Sequence, residues 1–310
     1  MQLPFGLVLL LLFASGLLLS RIHFCLVAAV AMAHHGHWGL ARAVALISLG
    51  ISAVLLALAL FSGRLPLQLA ADGRVLLGGL LFGLAAAWNR GCFVGTSIQL
   101  AGGDLRALLS VGGWVLGFLA IGSPTELLAL PPQPLRLVLA LLALLLAGVG
   151  LARWAGAGAA ARGAAPGGSG VCWRASIACG VMLGLVDNDL WRWDPSSLAR
   201  TLAHPLALAD SWQRRDPAPL LPLVLLAGMA ANSLWQRSGR LAWPGRHDLL
   251  RLPYGMAMAA GAALAMGGND TQLLRYLPGG SPHGWIAVPA MVAGIVAGLR
   301  CPAPLGMAWR

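Results

Sequence analysis

The residues best suited to chemistry in this 310-residue chain are thiols and small polar groups set inside apolar sequence. The segment Asn89-Arg90-Gly91-Cys92-Phe93-Val94-Gly95-Thr96-Ser97, followed by Gly102-Gly103-Asp104, interrupts what is otherwise a continuous apolar run. Backbone broken at membrane depth has to be enclosed by protein or line a wet cavity, because its unpaired groups are too costly in lipid. Gly91 and Gly95 let a ligand or a neighbouring helix approach the backbone, and the amides opening the next helix form an anion site. A polar loop at the membrane surface accommodates the same residues equally well. Ser20-Arg21-Ile22-His23-Phe24-Cys25 is a second such segment. An Arg beside a Cys can activate the thiol and hold an anion, whereas a lone Cys in an apolar helix is commonly a small buried hydrophobe. Arg174-Ala175-Ser176-Ile177-Ala178-Cys179 loosely echoes it, and Cys301, between Arg300 and Pro302, makes a third Arg–Cys neighbourhood.

The elements that must position these groups are membrane helices. The chain is 58% hydrophobic and only 10% charged, with a mean hydropathy of +0.78, against about 25% charged residues in a soluble protein. All of its basic residues are Arg and its formal charge is +11. The arginines fall singly or in pairs between apolar runs, where topology signals belong, and not in the patch a nucleic acid requires. Leu3–Ser20, Ala43–Phe61, Leu105–Ile121 and Leu135–Leu151 reach the roughly 17–20 residues that cross a bilayer. Leu220–Leu234 and Ile286–Leu299 fall slightly short, for a total of roughly eight or nine spans. Ile22–Ala33, Val75–Trp88, Ile177–Val186 and Leu252–Met266 are shorter still. They read either as half-helices meeting near the midplane or as tilted spans with frayed ends. The expected fold is an all-α polytopic membrane protein of two pseudo-repeated halves, residues 1–152 and 171–310, joined by an Ala/Gly/Arg-rich linker at 153–170. A shift of 176 positions supports the repeat: it sets Asp72 on Asp248, Leu76 on Leu252, Gly79 on Gly255 and Gly91 on Gly267. The stretch from Asp187 to Pro217, rich in Trp, Arg and Asp, suits the headgroup zone.

Taken together, Arg21 to Cys25 and Asn89 to Thr96 resemble the signature of the YeeE/YedE family of sulfur-compound transporters. The resemblance implies a multi-pass inner-membrane permease for thiosulfate or a related anion. It also implies that pore-lining thiols, Cys25 and Cys92 by position, hand the substrate along. Arg21, Asn89, Arg90, Gly91, Gly95 and Thr96 complete the expected path, and a small cytoplasmic sulfur-carrier protein is an expected partner. The sequence departs from the family where the second half should repeat a Gly-Cys element and instead reads Gly267-Gly268-Asn269-Asp270. Gly268 and Asn269 therefore stand where a thiol is expected, and Cys179 or Cys301 is left to substitute for it in space. Neutral thiols are weak donors, suited to passing a soft dianion between shallow sites.

Competing chemistries have little support in the sequence. His34-His35-His37 spacing lacks a carboxylate or Cys to complete a metal site, so no metal and no cofactor is expected. There is no C-x-x-C for a disulfide oxidoreductase, no Walker, Rossmann or nucleophile-elbow pattern, and few carboxylates for acid–base work. The protein is expected not to be an enzyme. Two alternatives remain: a sulfur-transfer or redox protein with a covalently modified Cys92, and a degenerate, non-transporting relative that scaffolds a partner.

Overall fold

Long runs of Leu, Ala, Val and Ile can satisfy their backbone groups without water only as helix, and the chain folds accordingly. The computed structural model describes residues 4–62, 66–121, 142, 146, 150, 169–186, 220–236, 239 and 241–301. In chain order the helices are α1 (Phe5–Ile22), α2 (Leu26–His34), α3 (Gly39–Ser62), α4 (Gly73–Asn89), α5 (Phe93–Ala101) and α6 (Ala107–Ile121). After them come α7 (Ser169–Val186), α8 (Leu221–Trp235), a 3-10 turn at Arg246–Leu250 and α9 (Arg251–Leu264). A short α10 starts at Asn269–Thr271 and runs into a π-helical turn, Gln272–Tyr276, and α11 (Pro282–Arg300) closes the series. An isolated β bridge joins Asp104 and Ala242.

Four helical stretches are long and apolar enough to cross a membrane: Phe5–His34, Gly39–Phe61, Gly73–Ala101 and Pro282–Arg300. Arg246–Leu264 with Asn269–Tyr276, bent by 44°, makes a fifth. Ala107–Ile121, Trp173–Val186 and Leu221–Trp235 are shorter apolar helices beside them. Leu10, Leu60, Phe61 and Leu119 are more than 60% exposed, as befits side chains that face acyl tails. The molecule is an all-helical, multi-pass membrane protein. The expected span at Leu135–Leu151, apart from helical residues 142, 146 and 150, the linker as far as residue 168 and the stretch from Asp187 to Pro217 lie outside the described residues.

Three of the short apolar stretches prove to be parts of interrupted spans, and one device interrupts all three. α1 ends with His23 at φ 56°, α4 with Arg90 at φ 60° and α9 with Met266 at φ 52°. Each left-handed residue closes the helix before it with a Schellman pair of bonds. The long bonds are Phe24 N to Leu19 O (3.0 Å), Gly91 N to Ala86 O (3.1 Å) and Gly267 N to Ala262 O (2.8 Å). The short ones are His23 N to Ser20 O, Arg90 N to Ala87 O and Met266 N to Ala263 O, at 3.1, 3.1 and 3.4 Å. A Schellman turn satisfies the last carbonyls and interrupts the helix, with a bend of 44° at the break between α9 and α10. A second helix then starts after the break, with Cys25, Cys92 and Gly268 as the respective N-caps. The backbone thus breaks inside the protein without leaving its terminal carbonyls unpaired.

Helix pairs bring these three starts together. α4 packs along α11, with Gly79 against Ala287 and Ala290 and Gly83 against Met291 and Ile295. α9 packs along α6 in the same sense, with Gly113 against Leu252 and Gly255 and Gly117 against Met256 and Ala259. Between the two pairs α4 and α9 run antiparallel, with Gly78 and Gly261 in mutual backbone contact. Small residues permit this closeness, which is how helices associate where no hydrophobic effect draws them together. Outside them α1 crosses α8 at Gly16 and Gly228, and α3 crosses α7 at Gly50 and Gly180.

Candidate functional site

The N-terminal ends of α2 and α5 meet through their capping thiols. Cys92 Sγ lies 3.5 Å from Cys25 Sγ, within reach of an S–H···S hydrogen bond, and the Gly95 amide donates to Cys92 Sγ at 3.4 Å. Cys92 is fully buried and Cys25 half-buried, so the pair is approached from the Cys25 side. Gly95 makes the approach possible: a Cβ there would stand 2.6 Å from Cys25 Sγ and 3.1 Å from Cys25 Cβ. The thiol of one broken span occupies the space left by the missing side chain of another.

Asn89 holds the α4–α5 break in shape. Its Nδ2 donates to Gly91 O at 3.0 Å and to Thr96 Oγ1 at 3.3 Å, while its Oδ1 accepts from Ser110 Oγ at 2.6 Å. All three side chains are buried, and a closed set of bonds of this kind rigidifies a core. Gly91 lies against Thr96 Oγ1 and Gln99 Nε2, at 3.0 and 3.2 Å from where its Cβ would be. Gln99 ties the far end of α5 down: it donates to Arg90 O at 3.3 Å and accepts from Arg251 Nη1 at 3.2 Å. Arg251 also reaches Asp248 at 3.7 Å, and close by Arg106 grips Asp104 at 2.7 and 2.8 Å. Burial opposes ionisation of Asp104, but the Arg106 guanidinium outweighs it and holds the carboxyl below the usual range.

The second half delivers α10 to the same place. The Phe93 amide donates to Asn269 Oδ1 at 3.3 Å, joining the starts of α5 and α10. Gly268 stands where the sequence pattern expects a thiol, and a Cβ there would collide with the Phe93 ring (2.6 Å from Cε2) and with Asp270 Oδ1 (2.8 Å). Phe93 is itself gripped by aromatic neighbours, edge-on to Phe82 at 5.0 Å and to Trp114 at 4.7 Å. Around α10, Asn269, Asp270, Thr271, Gln272 and His283 are at most 1% exposed. Leaving a buried polar atom unpaired costs about 1–3 kcal/mol. Four such atoms lack a hydrogen-bond partner among the described residues: Asn269 Nδ2, Thr271 Oγ1, Gln272 Oε1 and His283 Nδ1.

The remaining residues singled out from sequence lie apart from the thiol pair. Arg21 is exposed on the last turn of α1, and Arg90, though it shapes the break, directs an exposed side chain. Cys179 is buried in α7, its Sγ 3.8 Å from Ser15 O, about two turns before the α1 break. Cys301 is exposed at the end of α11, where its carbonyl accepts from Trp88 Nε1 at 3.4 Å. Phe93, Ser110, Gln99, Thr271, Gln272 and His283 belong to the surroundings of the two turns and were not legible from spacing; Phe93, Gln99, Ser110 and His283 are placed there by contacts with other helices. An apolar cavity of about 620 Å³ between α2, α3, α10 and α11 borders the region. Ser48 in its wall already donates to Leu273 O, so the cavity offers an anion little.

Among the described residues no group of three or more His, Cys, Asp or Glu is placed to hold a metal ion. What the thiol pair can do is present soft, weak donors beside the positive ends of two nine-residue helices, an arrangement that favours an anion. No curated protein matches the chain. Residues 21–132, which carry both thiols and the helices from α2 to α6, match the family model described as sulphur transport, and through that segment the chain is similar to the YeeE/YedE family of membrane transporters of sulfur compounds.

Proposed function

We propose that the protein is a permease of the cell inner membrane that carries thiosulfate, or a closely related sulfur anion, past Cys25 and Cys92. The observation that carries this reading is the 3.5 Å approach of two thiols from two different broken spans, each capping a helix start. A dianion loses its hydration in such a place, and that loss must be offset by donors and dipoles. Helix N-termini supply the positive potential. The thiols supply contacts weak enough for the ion to leave again, and Gly95 leaves room for both. The two halves are taken as inverted repeats about this point. The antiparallel α4 and α9, the exchange of partners between α4–α11 and α9–α6, and Cys92 and Gly268 as N-caps 176 residues apart all support that.

The test is uptake of radiolabelled thiosulfate into cells lacking their own uptake systems, with sulfate and sulfite as competitors. Cys92→Ala and Cys25→Ala are each expected to abolish uptake while leaving the protein in the membrane. Wild-type rates in both variants refute the role of the pair. The closeness of the two sulfurs also favours a second reading: the Cys92 thiolate attacks the outer sulfur of thiosulfate, the S–S bond of thiosulfate breaks, and sulfite leaves as the persulfide forms. Mass spectrometry after incubation with thiosulfate separates the two: a persulfide on Cys92 supports transfer, and unmodified thiols support carriage.

A further inference from the structure

The turn that lacks its thiol has gained something else. Between Gly268 and the π-helical turn the chain buries Asn269, Asp270, Thr271 and Gln272, and α11 adds His283, none more than 1% exposed. Gln272 Nε2 and His283 Nε2 both lie against the Ala265 carbonyl, at 2.9 and 2.7 Å. Each nitrogen must donate to that oxygen, which fixes Gln272 Oε1 and His283 Nδ1 as acceptors. These two, with Thr271 Oγ1, have no hydrogen-bond partner among the described residues. A buried carboxylate, an amide oxygen, a hydroxyl and a bare imidazole nitrogen form a set of acceptors, which attracts a cation. An anion is disfavoured there, because Asp270 Oδ1 lies 2.8 Å from where a Cβ on Gly268 would be. π-helical turns are frequent at functional sites, and ionisable residues inside membrane spans mark ion pathways and proton relays.

We propose that the Asn269–Gln272 turn with His283 binds a monovalent cation, sodium or a proton, that travels with the anion held at Cys25 and Cys92. This rests on the transporter reading above. A divalent ion calls for more carboxylates and a fuller oxygen shell than one Asp provides. The other carboxylate felt at His283 is Asp72, the N-cap of α4; α3 presents Ser48 and Ser52, α5 presents Cys92 and Phe93, α11 presents His283, and the turn itself carries Arg275 and Tyr276. An inside-negative membrane potential opposes uptake of a dianion, and a co-transported cation offsets that opposition. The bond from the Phe93 amide to Asn269 Oδ1 links the cation turn to the helix capped by Cys92. Filling one site therefore alters the other, and by linkage the effect is mutual.

The full-length protein in proteoliposomes tests this with labelled thiosulfate under an inward sodium gradient, an inward proton gradient, or neither. One gradient is expected to raise the initial rate by at least about five-fold, the lower end of typical coupling, and Asp270→Asn is expected to remove that dependence. Thr271→Val, a nearly isosteric change, should raise the cation concentration for half-maximal rate while keeping uptake saturable, which covers the case in which Asp270→Asn fails to fold. Equal rates under all three conditions overturn the cation site and leave the permease standing. If thiosulfate does not move at all, the permease reading fails and the cation site is judged alone, by thermal unfolding in sodium against choline and across pH. A sodium- or pH-dependent rise of about 3 °C or more, absent in Thr271→Val, supports it; no such rise overturns it.

Discussion

Adding one methyl group at Gly95 tests whether the thiol pair depends on a built vacancy. The Cβ of Gly95→Ala would stand 2.6 Å from Cys25 Sγ and 3.5 Å from Cys92 Sγ. The first distance is about 1 Å inside ordinary van der Waals contact, roughly 3.5–4.0 Å. Because the amides of Gly95 and Thr96 are bonded to Cys92 Sγ and Cys92 O, the start of α5 resists moving. Cys25 has to yield, and a shift of about 1 Å in a packed core costs roughly 1–3 kcal/mol. It also lengthens the 3.5 Å sulfur–sulfur contact beyond hydrogen-bonding reach. Misplacing a reacting group by about 1 Å can cost on the order of a hundred-fold in rate, so a ten- to hundred-fold fall in thiosulfate uptake is expected. Thermal unfolding of detergent-purified protein gives the packing term, and initial uptake rates give the functional one. Combining Gly95→Ala with Cys25→Ala removes the sulfur that clashes, so the unfolding temperature should recover toward that of Cys25→Ala while uptake stays lost. Normal uptake in Gly95→Ala, or a destabilisation that Cys25→Ala does not relieve, would refute the reasoning.

Asn89→Ala strips Ser110, Thr96 and Gly91 of their common partner; a loss of about 1–3 kcal/mol per stranded group should show as a large fall in unfolding temperature, with Ser110→Ala milder. Gly268→Cys alone should destabilise, because its Cβ meets the Phe93 ring, whereas Gly268→Cys with Phe93→Ala should recover part of the loss; equal unfolding temperatures for the single and double variants count against it. The carboxyl of Asp104 titrates below the usual carboxylate range in the folded protein, burial opposing and Arg106 enforcing the shift. Its contribution is therefore present above the unfolded pKa and disappears as pH falls through the folded one. The unfolding temperature should drop on the acid side of pH 4 less steeply in Arg106→Gln than in wild type.

Much of the fold was legible because lipid leaves few options. The apolar runs at Leu3–Ser20, Ala43–Phe61 and Leu105–Ile121 became helices, and glycines inside apolar runs marked helix contacts such as Gly79 on Ala290 and Gly113 on Gly255. The break at Asn89–Cys92 was legible too, since a polar group and a glycine pair interrupt apolar sequence there. The break at Ser20–Cys25 was harder to see. It uses His23 in the left-handed conformation with no glycine to signal it, and asparagine or glycine is the ordinary marker of such a cap. Spacing said nothing of which thiols would meet, because Cys25 and Cys92 are joined by the crossing of two spans 67 residues apart. The Arg–Cys adjacencies misdirect for the same reason. Neighbours in sequence at a helix end point to different faces, so Arg21 is exposed while Cys25 turns inward.

The departure at Gly268 is better explained by its neighbours than by the residue itself. A missing thiol alone would leave a hole, and holes in packed interiors are costly. Instead Phe93, braced by Phe82 and Trp114, lies against Gly268 from one side and Asp270 approaches from another. A thiol could return only if the ring gave way, so the glycine is a packing requirement of Phe93. The same ring follows Cys92 directly in sequence, and its amide is bonded to Asn269. One residue thus separates a soft, neutral pair of sulfurs from a hard, oxygen-rich turn while tying their backbones together. Two equivalent stations would give a symmetric path with nothing to couple to. Two unlike stations joined by one hydrogen bond can hold ions of opposite charge close together, which lowers the cost of bringing either into lipid.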